Sequence, residues 1–333
     1  MKKSLLVGYF GFGNMGDEAV LQLIKRELEA VGIPYRTFFG ENVVCSFRKI
    51  LTLRGAIADS SALIFPCGNL LQNETSNGSL LYYLHAIRCA AAIKIPVFFA
   101  SCGIGKISGR TAHQLTKFAL SGVEFFGART HLDAVAARKL GVKTVACVPD
   151  ISFTLPEVSA KKENIFAYIP KSENRPLLEK VKKLAQALSL SPIIISMQSG
   201  CDEKICASVA KSLGAQSYGV KDAESLTALL STCRFTVSER LHGGILSLVS
   251  HTPAFLPDSS EKCSALIDDI SHRSSELGIL TPLYSHSELS VEKIKELGVR
   301  NSEFDILLSS LRYSVNQGLS KLLGRLRTLS PPN

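Results

Sequence analysis

The sequence LLVGYFGFGNMGDEAV, residues 5–20, decides the fold because it joins a short apolar run to an amphipathic segment through a glycine-rich turn. The apolar residues 5–10 predict a buried strand. The segment 17–31 places Val20 and Ile24 on one side at helical spacing, which predicts a helix packed against a core. A strand that leads through a turn into a helix is the repeating unit of a parallel α/β sheet.

The same alternation continues along the chain. Further strands are predicted in the first half at Tyr35–Phe39, Ala62–Pro66, Pro96–Cys102, Glu124–Arg129 and Thr144–Val148, with helices at Ser79–Ile93, Arg110–Leu120 and His131–Leu140. After a linker at 151–164, strands are predicted at Ile165–Ile169, Pro192–Met197, Phe235–Ser238 and Ala254–Leu256, with helices near 175–190, 202–213, 222–231, 243–250 and 262–271.

This pattern predicts an α/β protein with two doubly wound Rossmann-like lobes facing a cleft. We expect an N-terminal lobe at residues 1–155, a C-terminal lobe at 156–300 and a C-terminal helical segment at 301–333. Ligands usually bind where the carboxyl ends of parallel strands border such a cleft.

Composition narrows the classes of function. The chain has 333 residues, 46% of them hydrophobic, so it can bury two cores and is not a disordered protein. Its formal charge of +9 favours anionic partners, or is a mild excess spread over a large enzyme. The sequence contains no basic patch interleaved with aromatic residues, the pattern that would indicate nucleic-acid binding. The nine cysteines, an odd number, form no CxxC pair and no zinc-ligand cluster.

Location follows from the same features. Free cysteines are typical of a reducing compartment, and no run of about 18 apolar residues predicts a membrane span. We therefore expect a soluble cytoplasmic protein. The final segment, 319–329, carries Lys321, Arg325 and Arg327 among leucines. It predicts a helix that either lies on the inner membrane face or packs back on a lobe.

The amino-terminal glycine loop allows three interpretations. Gly11, Gly13 and Gly16 match the G-x-G-x-x-G pattern of dinucleotide sites, with Glu41 as a ribose-binding acid. The acids Asp17 and Glu18, however, would repel a bound anion at the helix start. Asn14 and Asp17 are better suited to sugar hydroxyls, and a tight turn capped by acids is the third alternative.

Two more loops follow predicted strands. Asn69 and Gln72 lie in the polar stretch PCGNLLQNETS, residues 66–76, where substrate is commonly held and where a solvated loop is the alternative. The stretch SCGIG, residues 101–105, repeats the pattern of a strand followed by glycines.

The sequence SERLHGG, residues 238–244, predicts an anion site. Arg240 and His242 follow a strand and precede a helix, and Gly243 and Gly244 clear side chains from the corner. A guanidinium, an imidazole and helix N-terminal amides together suit phosphate or carboxylate, and histidine can serve as a general acid or base. A structural histidine is the alternative.

Two further cations lie at related places in the sequence. Arg129 ends a predicted strand of the first lobe and could supply a second guanidinium across the cleft. Lys262 starts a helix of the second lobe and is either a donor-side charge or a surface lysine.

The chain resembles the polysaccharide pyruvyl transferase family. The motifs that carry the resemblance are GYFGFGNMGDEA at 8–19, GNLLQ at 68–72, GIG at 103–105 and SERLH at 238–242. They occur in the family's order and cover most of the chain. The resemblance implies a two-lobed glycosyltransferase-B-like fold and transfer of an enolpyruvyl-derived group from phosphoenolpyruvate to a sugar, giving a pyruvate ketal.

The resemblance also implies roles for residues. Arg240 and Arg129 would bind the donor's carboxylate and phosphate, and His242 would bind the donor or protonate it. The amino-terminal loop would hold the acceptor, a cell-envelope glycan or its lipid-linked precursor. No metal or cofactor would be required. The chain departs from the family at Pro66-Cys67, at Asn73 and after Arg129, where Thr130 and Asp133 follow. Two other functions stay open: a nucleotide-sugar glycosyltransferase of the same fold and a non-catalytic binding protein.

Overall fold

The computed structural model describes residues 2–38, 47–298 and 300–329. Contacts divide the chain into two units. Unit 1 contains the residues up to Gly11, Val20–Ile151 and the residues from Arg312 onward. Unit 2 contains Phe12–Ala19 and Ser152–Leu311. The sequence predicts boundaries at 155/156 and 300/301. In the structure, residues 12–19 of the glycine loop belong to the second unit, and the residues from Arg312 onward belong to the first.

Unit 1 is built on a six-stranded parallel sheet with the order β2-β1-β3-β4-β5-β6. Its strands are β1 (Lys3–Val7), β2 (Tyr35–Phe38), β3 (Ser60–Leu71), β4 (Val97–Ile104), β5 (Phe125–Ala128) and β6 (Val145–Cys147). Its helices are α1 (Met15–Ala30, whose first turn belongs to unit 2), α2 (Phe47–Ala58), α3 (Asn77–Ala92), α4 (Arg110–Leu120) and α5 (His131–Lys139).

Unit 2 has a second six-stranded parallel sheet with the order β12-β11-β10-β7-β8-β9. Its strands are β7 (Ile165–Ile169), β8 (Ser191–Ser196), β9 (Gln216–Gly219), β10 (Thr236–Ser238), β11 (Ala254–Leu256) and β12 (Leu283–Ser285). Its helices are α6 (Arg175–Leu188), α7 (Glu203–Leu213), α8 (Ala223–Thr232), α9 (Leu241–Val249), α10 (Glu261–Leu277) and α11 (Val291–Lys295), after a 3₁₀ turn at Ile151–Thr154.

Each sheet has its own core. In unit 1 the rings of Phe65, Phe99 and Phe126 stack across three neighbouring strands, with centroids 4.6 and 4.7 Å apart. In unit 2 Phe166 stacks on Phe235 at 4.7 Å. All five rings are fully buried, and such burial stabilises by roughly 1.5–3 kcal/mol per side chain. The predicted class, two doubly wound parallel sheets, is confirmed.

The segment predicted to be helical contains one helix, α12 (Asn301–Leu329). Residues 312–329 of α12 belong to unit 1. Their leucines Leu319, Leu322 and Leu326 are buried, so the apolar side of this segment is covered by the protein. Among the helices of the described residues, none combines the length and hydrophobicity that a membrane span requires.

The linker that precedes β7 carries a lysine suited to a test of pH dependence. Lys162 donates from Nζ to the Ser231 carbonyl (2.9 Å) and the Thr252 hydroxyl (2.6 Å), and burial lowers its pKa to about 8. Between about pH 8 and the unfolded lysine value near 10.4, only the unfolded chain retains this proton. Stability is therefore expected to rise with pH across that window.

Across this pH window, we expect the free energy of unfolding of the wild type to rise by on the order of 1–2 kcal/mol relative to that of Lys162→Met, after a discount for solvent screening. Urea unfolding at pH 7.5 and pH 10 measures it. The exposed neighbour Lys161→Met provides the control. A difference between wild type and Lys162→Met that is the same at both pH values would contradict the expectation.

Candidate active site

The amino-terminal glycine loop pairs with the loop that follows β8. The Met15 amide donates to the Met197 carbonyl (3.0 Å), and the Ser199 amide donates to the Gly13 carbonyl (3.1 Å). Asn14 and Gln198 form an antiparallel bridge between these hydrogen bonds. The loop is therefore fixed by backbone pairing within unit 2, at the carboxyl end of a strand of that sheet.

This pairing brings Gly16 against the imidazole of His242. A Cβ atom added to Gly16 would lie 2.0 Å from Nδ1 and 2.1 Å from Cγ of His242. Real Cβ atoms do not approach so closely, so only glycine fits here while the histidine keeps its place. His242 is 9% exposed. The motifs at 8–19 and 238–242, which are far apart in the sequence, thus meet in one site.

The 238–244 segment forms the turn from β10 into α9, as the sequence predicts. Arg240 occupies the N-cap position with extended backbone, and His242 is the second residue of α9. The Ser238 hydroxyl donates to the Arg240 carbonyl (2.7 Å) and accepts from the Arg240 amide (3.0 Å), which fixes the turn. His242 therefore sits in the first turn of a helix, where backbone amides favour anions.

The guanidinium of Arg240 pairs with Asp202. Its Nη2 donates to Oδ1 of Asp202, whose side chain is 2% exposed, and Oδ2 of the same carboxylate accepts from the Gln198 amide (3.1 Å). The Arg240 side chain is 13% exposed, and its buried Nε has no hydrogen-bond partner among the described residues. One arm of the guanidinium is thus held by a carboxylate that also anchors the loop after β8.

Glu239 braces the neighbouring loop. Its Oε2 accepts from the amides of Lys171 (2.8 Å) and Ser172 (3.0 Å), directly after β7, and its Oε1 accepts from the Tyr168 hydroxyl (3.3 Å). The carboxylate ties the ends of β7 and β10 together, so Glu239 has a structural role at the edge of the site.

The two glycines of the motif allow α9 to pack closely on the sheet. A Cβ on Gly243 would lie 2.2 Å from the Ser238 hydroxyl, and one on Gly244 would lie 2.9 Å from Leu256 of β11. Lys262 is exposed in the first turn of α10, which follows β11. Because β10 and β11 are parallel neighbours, Lys262 lies at the same edge of the sheet as Arg240 and His242.

The polar residues of the glycine loop contact one another. Asn14 donates from Nδ2 to Oδ2 of Asp17 (2.6 Å), and Asp17 is 8% exposed. Gly11 and Gly13 have φ values of 82° and 67°, which glycine adopts without strain. Glu41, the predicted ribose-binding acid, lies outside the described residues, as does Phe39 of the predicted second strand.

In unit 1, Arg129 and Asn69 meet where β3 and β5 end. Nη2 of Arg129 donates to Oδ1 of Asn69 (2.6 Å), and Nη1 lies 3.8 Å from Oδ2 of Asp150. A Cβ on Gly103 would lie 2.0 Å from Asn69 Oδ1 and 2.7 Å from Arg129 Nη2. Gly103, in the last part of β4, thus leaves room for the pair, and Arg129 is 5% exposed.

The other residues of this unit shape its loops. Gln72 donates to the Thr75 hydroxyl (2.8 Å) and accepts from the Thr75 amide (3.1 Å), so it closes its own loop. Asp133 forms a capping box with Thr130 and accepts from the Ile104 amide (2.8 Å). The acid that follows Arg129 at this spacing therefore stabilises the start of α5 and the end of β4.

A third cluster in unit 2 contains His251, Glu157 and Asp305. Nε2 of His251 lies 3.2 Å from Glu157 Oε2 and 3.5 Å from Asp305 Oδ1. Their ligand atoms lie within 4.8 Å of one another, so these side chains could hold a metal ion. Pairing of an imidazole with two carboxylates accounts for the cluster without an ion.

Sequence reasoning missed Asp202 and the position of Gly16 beside His242. The signal for Asp202 was available, because it follows the predicted strand Pro192–Met197 and lies at a strand's carboxyl end. The fold and this site define an α/β protein of the glycosyltransferase-B-like class, with polar residues gathered at the carboxyl ends of parallel strands.

Solved structures share this fold at low sequence identity. The structure of Anabaena Alr3699/HepE in complex with UDP and glucose is 10% identical, with a TM-score of 0.59 over 97% of this chain and 100% of that one. A putative UDP-N-acetylglucosamine 2-epimerase from Listeria monocytogenes is 10% identical, with a TM-score of 0.60 over 98% and 96% of the two chains. The UDP-GlcNAc 2-epimerase from Neisseria meningitidis bound to UDP-GlcNAc is 12% identical, with a TM-score of 0.54 over 96% and 94%.

A family model described as polysaccharide pyruvyl transferase matches residues 14–256, well over half of the chain. The chain belongs to this family and is a transferase. No individual curated protein sequence matches it significantly.

Proposed function

We propose that this protein transfers an enolpyruvyl-derived group from phosphoenolpyruvate to a sugar and forms a pyruvate ketal. The observation that carries the proposal is the junction of Gly16, His242 and Arg240 within unit 2. It places an imidazole, a guanidinium and first-turn amides of a helix at one strand end. This combination suits a small dianion or trianion that must also be protonated during the reaction.

The chemistry assigns a proton transfer to His242. A protonated imidazole delivers its proton to the methylene carbon of phosphoenolpyruvate, which makes C2 electrophilic. One sugar hydroxyl bonds to C2, the phosphate leaves with the electrons of its bond to C2, and a second hydroxyl closes the ketal. One of the two hydroxyl protons returns to the imidazole and the other protonates the phosphate, so atoms and charge balance.

Arg240 binds the donor with the part of its guanidinium that Asp202 leaves available. Because Asp202 offsets its charge and fixes one arm, the arginine is oriented before the donor arrives. Lys262, at the same sheet edge, adds a donor-side charge. Gly243 serves the site indirectly by letting α9 approach Ser238.

The acceptor is a glycan of the cell envelope or its lipid-linked precursor, used at the cytoplasmic face of the membrane. Asn69, Gln72 and Arg129 of the first lobe, residues 1–155, contribute amide and guanidinium groups to its recognition. Asn14 and Asp17 of the glycine loop supply further hydrogen-bonding groups, next to Gly11 and Gly16. The second lobe, residues 156–300, holds the donor.

A nucleotide-sugar glycosyltransferase is the second candidate. It is favoured by the fold shared with structures that contain UDP and glucose or UDP-GlcNAc. Calorimetry separates the two. If the protein binds phosphoenolpyruvate but not UDP-GlcNAc, the result supports pyruvyl transfer. If it binds UDP-GlcNAc but not phosphoenolpyruvate, the result contradicts pyruvyl transfer.

The donor site is tested by Arg240→Ala in calorimetry with phosphoenolpyruvate. Loss of a bidentate or charge-assisted anion contact is expected to cost about 2–4 kcal/mol, or about 30- to 1,000-fold in Kd. Arg234→Ala, an exposed arginine at the other end of β10, is the matched control and should leave Kd unchanged.

Arg240→Ala leaves the buried Asp202 without its cation, which can itself destabilise a protein. The double variant Arg240→Ala/Asp202→Asn removes this charge and keeps an acceptor for the Gln198 amide. Wild-type affinity in a folded double variant would exclude Arg240 from the donor site.

A further inference from the structure

Three adjacent helices of unit 1, α2, α3 and α4, share one pattern of charge. α2 packs beside α3 and α3 beside α4, and all three cover the same core of the sheet. None of the three contains an aspartate or a glutamate. Their described basic side chains are Arg54, Arg88, Arg110 and Lys117. We call this surface the basic face.

Large apolar side chains are exposed on the same three helices. Leu51 of α2 and Leu81 of α3 are each 49% exposed, and Leu115 and Phe118 of α4 are 43% and 59% exposed. They are four of the ten large hydrophobic residues that are exposed in the described chain. Single exposed apolar residues are ordinary, but a group on neighbouring helices is typical of an interaction surface.

The apolar and basic groups are interleaved. The guanidinium carbon of Arg88 on α3 lies 4.0 Å above the centre of the Phe118 ring on α4. Leu115 and Phe118 are three residues apart, and Lys117 lies between them in the sequence. Apolar and cationic side chains are therefore exposed close together on α4. An aromatic ring under a guanidinium has an apolar edge and a charged top, which suits the boundary between lipid headgroups and acyl chains.

The charge pattern of these three helices differs from that of α1. α1, which belongs mostly to the same unit, carries Asp17, Glu18, Glu27 and Glu29 in its 16 residues. The overall charge of +9 is therefore unevenly distributed between helices of one sheet. A surface whose helices lack acids and expose leucine and phenylalanine complements an anionic lipid bilayer, because the bases attract headgroups and the apolar side chains enter the interface.

We propose that the basic face docks the protein on the surface of a bilayer that contains anionic phospholipids. This contact is independent of donor chemistry and places unit 1 at a membrane. A second copy of the chain is the main alternative occupant, but it would bring the bases of one copy against those of the other, which is unfavourable at low salt.

The test is co-sedimentation of the full chain with vesicles of phosphatidylcholine alone or with about one third phosphatidylglycerol. We expect at least tenfold stronger partitioning to the anionic vesicles, released by 0.5 M salt. Arg110→Glu/Lys117→Glu should weaken it at least tenfold, and Leu115→Ser/Phe118→Ser should weaken it at least fivefold. Lys182→Glu/Lys183→Glu, exposed on α6 of unit 2, makes the same change in net charge and should bind as wild type does.

Equal partitioning to both vesicle types would overturn the proposal. So would an equal loss in the α6 control, which would indicate net charge rather than a defined surface. A concentration-dependent dimer that Leu115→Ser/Phe118→Ser abolishes, without vesicle binding by wild type, would assign the face to a second copy. Because these residues are exposed, circular dichroism is expected to show unchanged folding in every variant.

Discussion

Replacing His242 with glutamine is expected to lower kcat for pyruvyl transfer by about 10²- to 10⁴-fold, the usual contribution of a general acid. Glutamine keeps a similar size and can form hydrogen bonds, but it cannot carry the proton to the methylene carbon. His242 is 9% exposed in the first turn of α9 and touches Gly16, so a neutral replacement of similar length disturbs the packing little.

Phosphate release with phosphoenolpyruvate and a sugar acceptor measures this effect. His272→Gln, at an exposed position of α10, is the matched control and should keep wild-type kcat. A His242→Gln enzyme with wild-type kcat and a weaker Kd for phosphoenolpyruvate would make His242 a binding residue only. Wild-type values of both constants would remove it from the site.

The second large effect is expected for Gly16→Ala. A methyl group here would lie 2.0 Å from Nδ1 of His242, so either the imidazole or the paired loop must move. Misplacement of a reacting group by about 1 Å costs roughly 10²-fold in rate. We expect a loss of that size in kcat although no hydrogen-bonding or charged group is removed.

Gly324→Ala in α12 is the control, because an added Cβ there meets nothing within 4 Å. Thermal unfolding and circular dichroism distinguish displacement from loss of fold, since a folded Gly16→Ala enzyme with low kcat fits displacement. Gly16→Ala with wild-type kcat would show that the histidine's position does not matter for turnover.

The sequence predicted those elements whose apolar runs are long or whose helical spacing is clear. Ile165–Ile169 and Ala254–Leu256 coincide with β7 and β11. The elements that it missed lack this signal. β9 is the polar and largely exposed QSYG, β12 (LYS) has only two apolar side chains before its serine, and α2 contains Gly55, which lowers helix propensity.

The sequence predicts at which edge of the sheet the site lies, but not which residues contact one another there. A strand followed by SERLHGG placed Arg240 and His242 at a carboxyl end, as found in β10 and α9. Periodicity cannot report which loops meet across a sheet edge. The pairing of Arg240 with Asp202 and the approach of Gly16 to His242 depend on strand order, which no local pattern encodes.

The division of α12 between the units has a consequence for biosynthesis. Residues from Arg312 onward belong to the unit that begins the chain, where Gly318 packs on Val148 and Arg325 pairs with Glu124. Domains generally fold as units in the order in which they leave the ribosome. Here the first unit lacks the last part of α12 until the intervening residues Ser152–Leu311 of the second unit have been synthesised, so its packing is completed only after that stretch has left the ribosome, and a fragment that ends near residue 155 would expose an unfinished core.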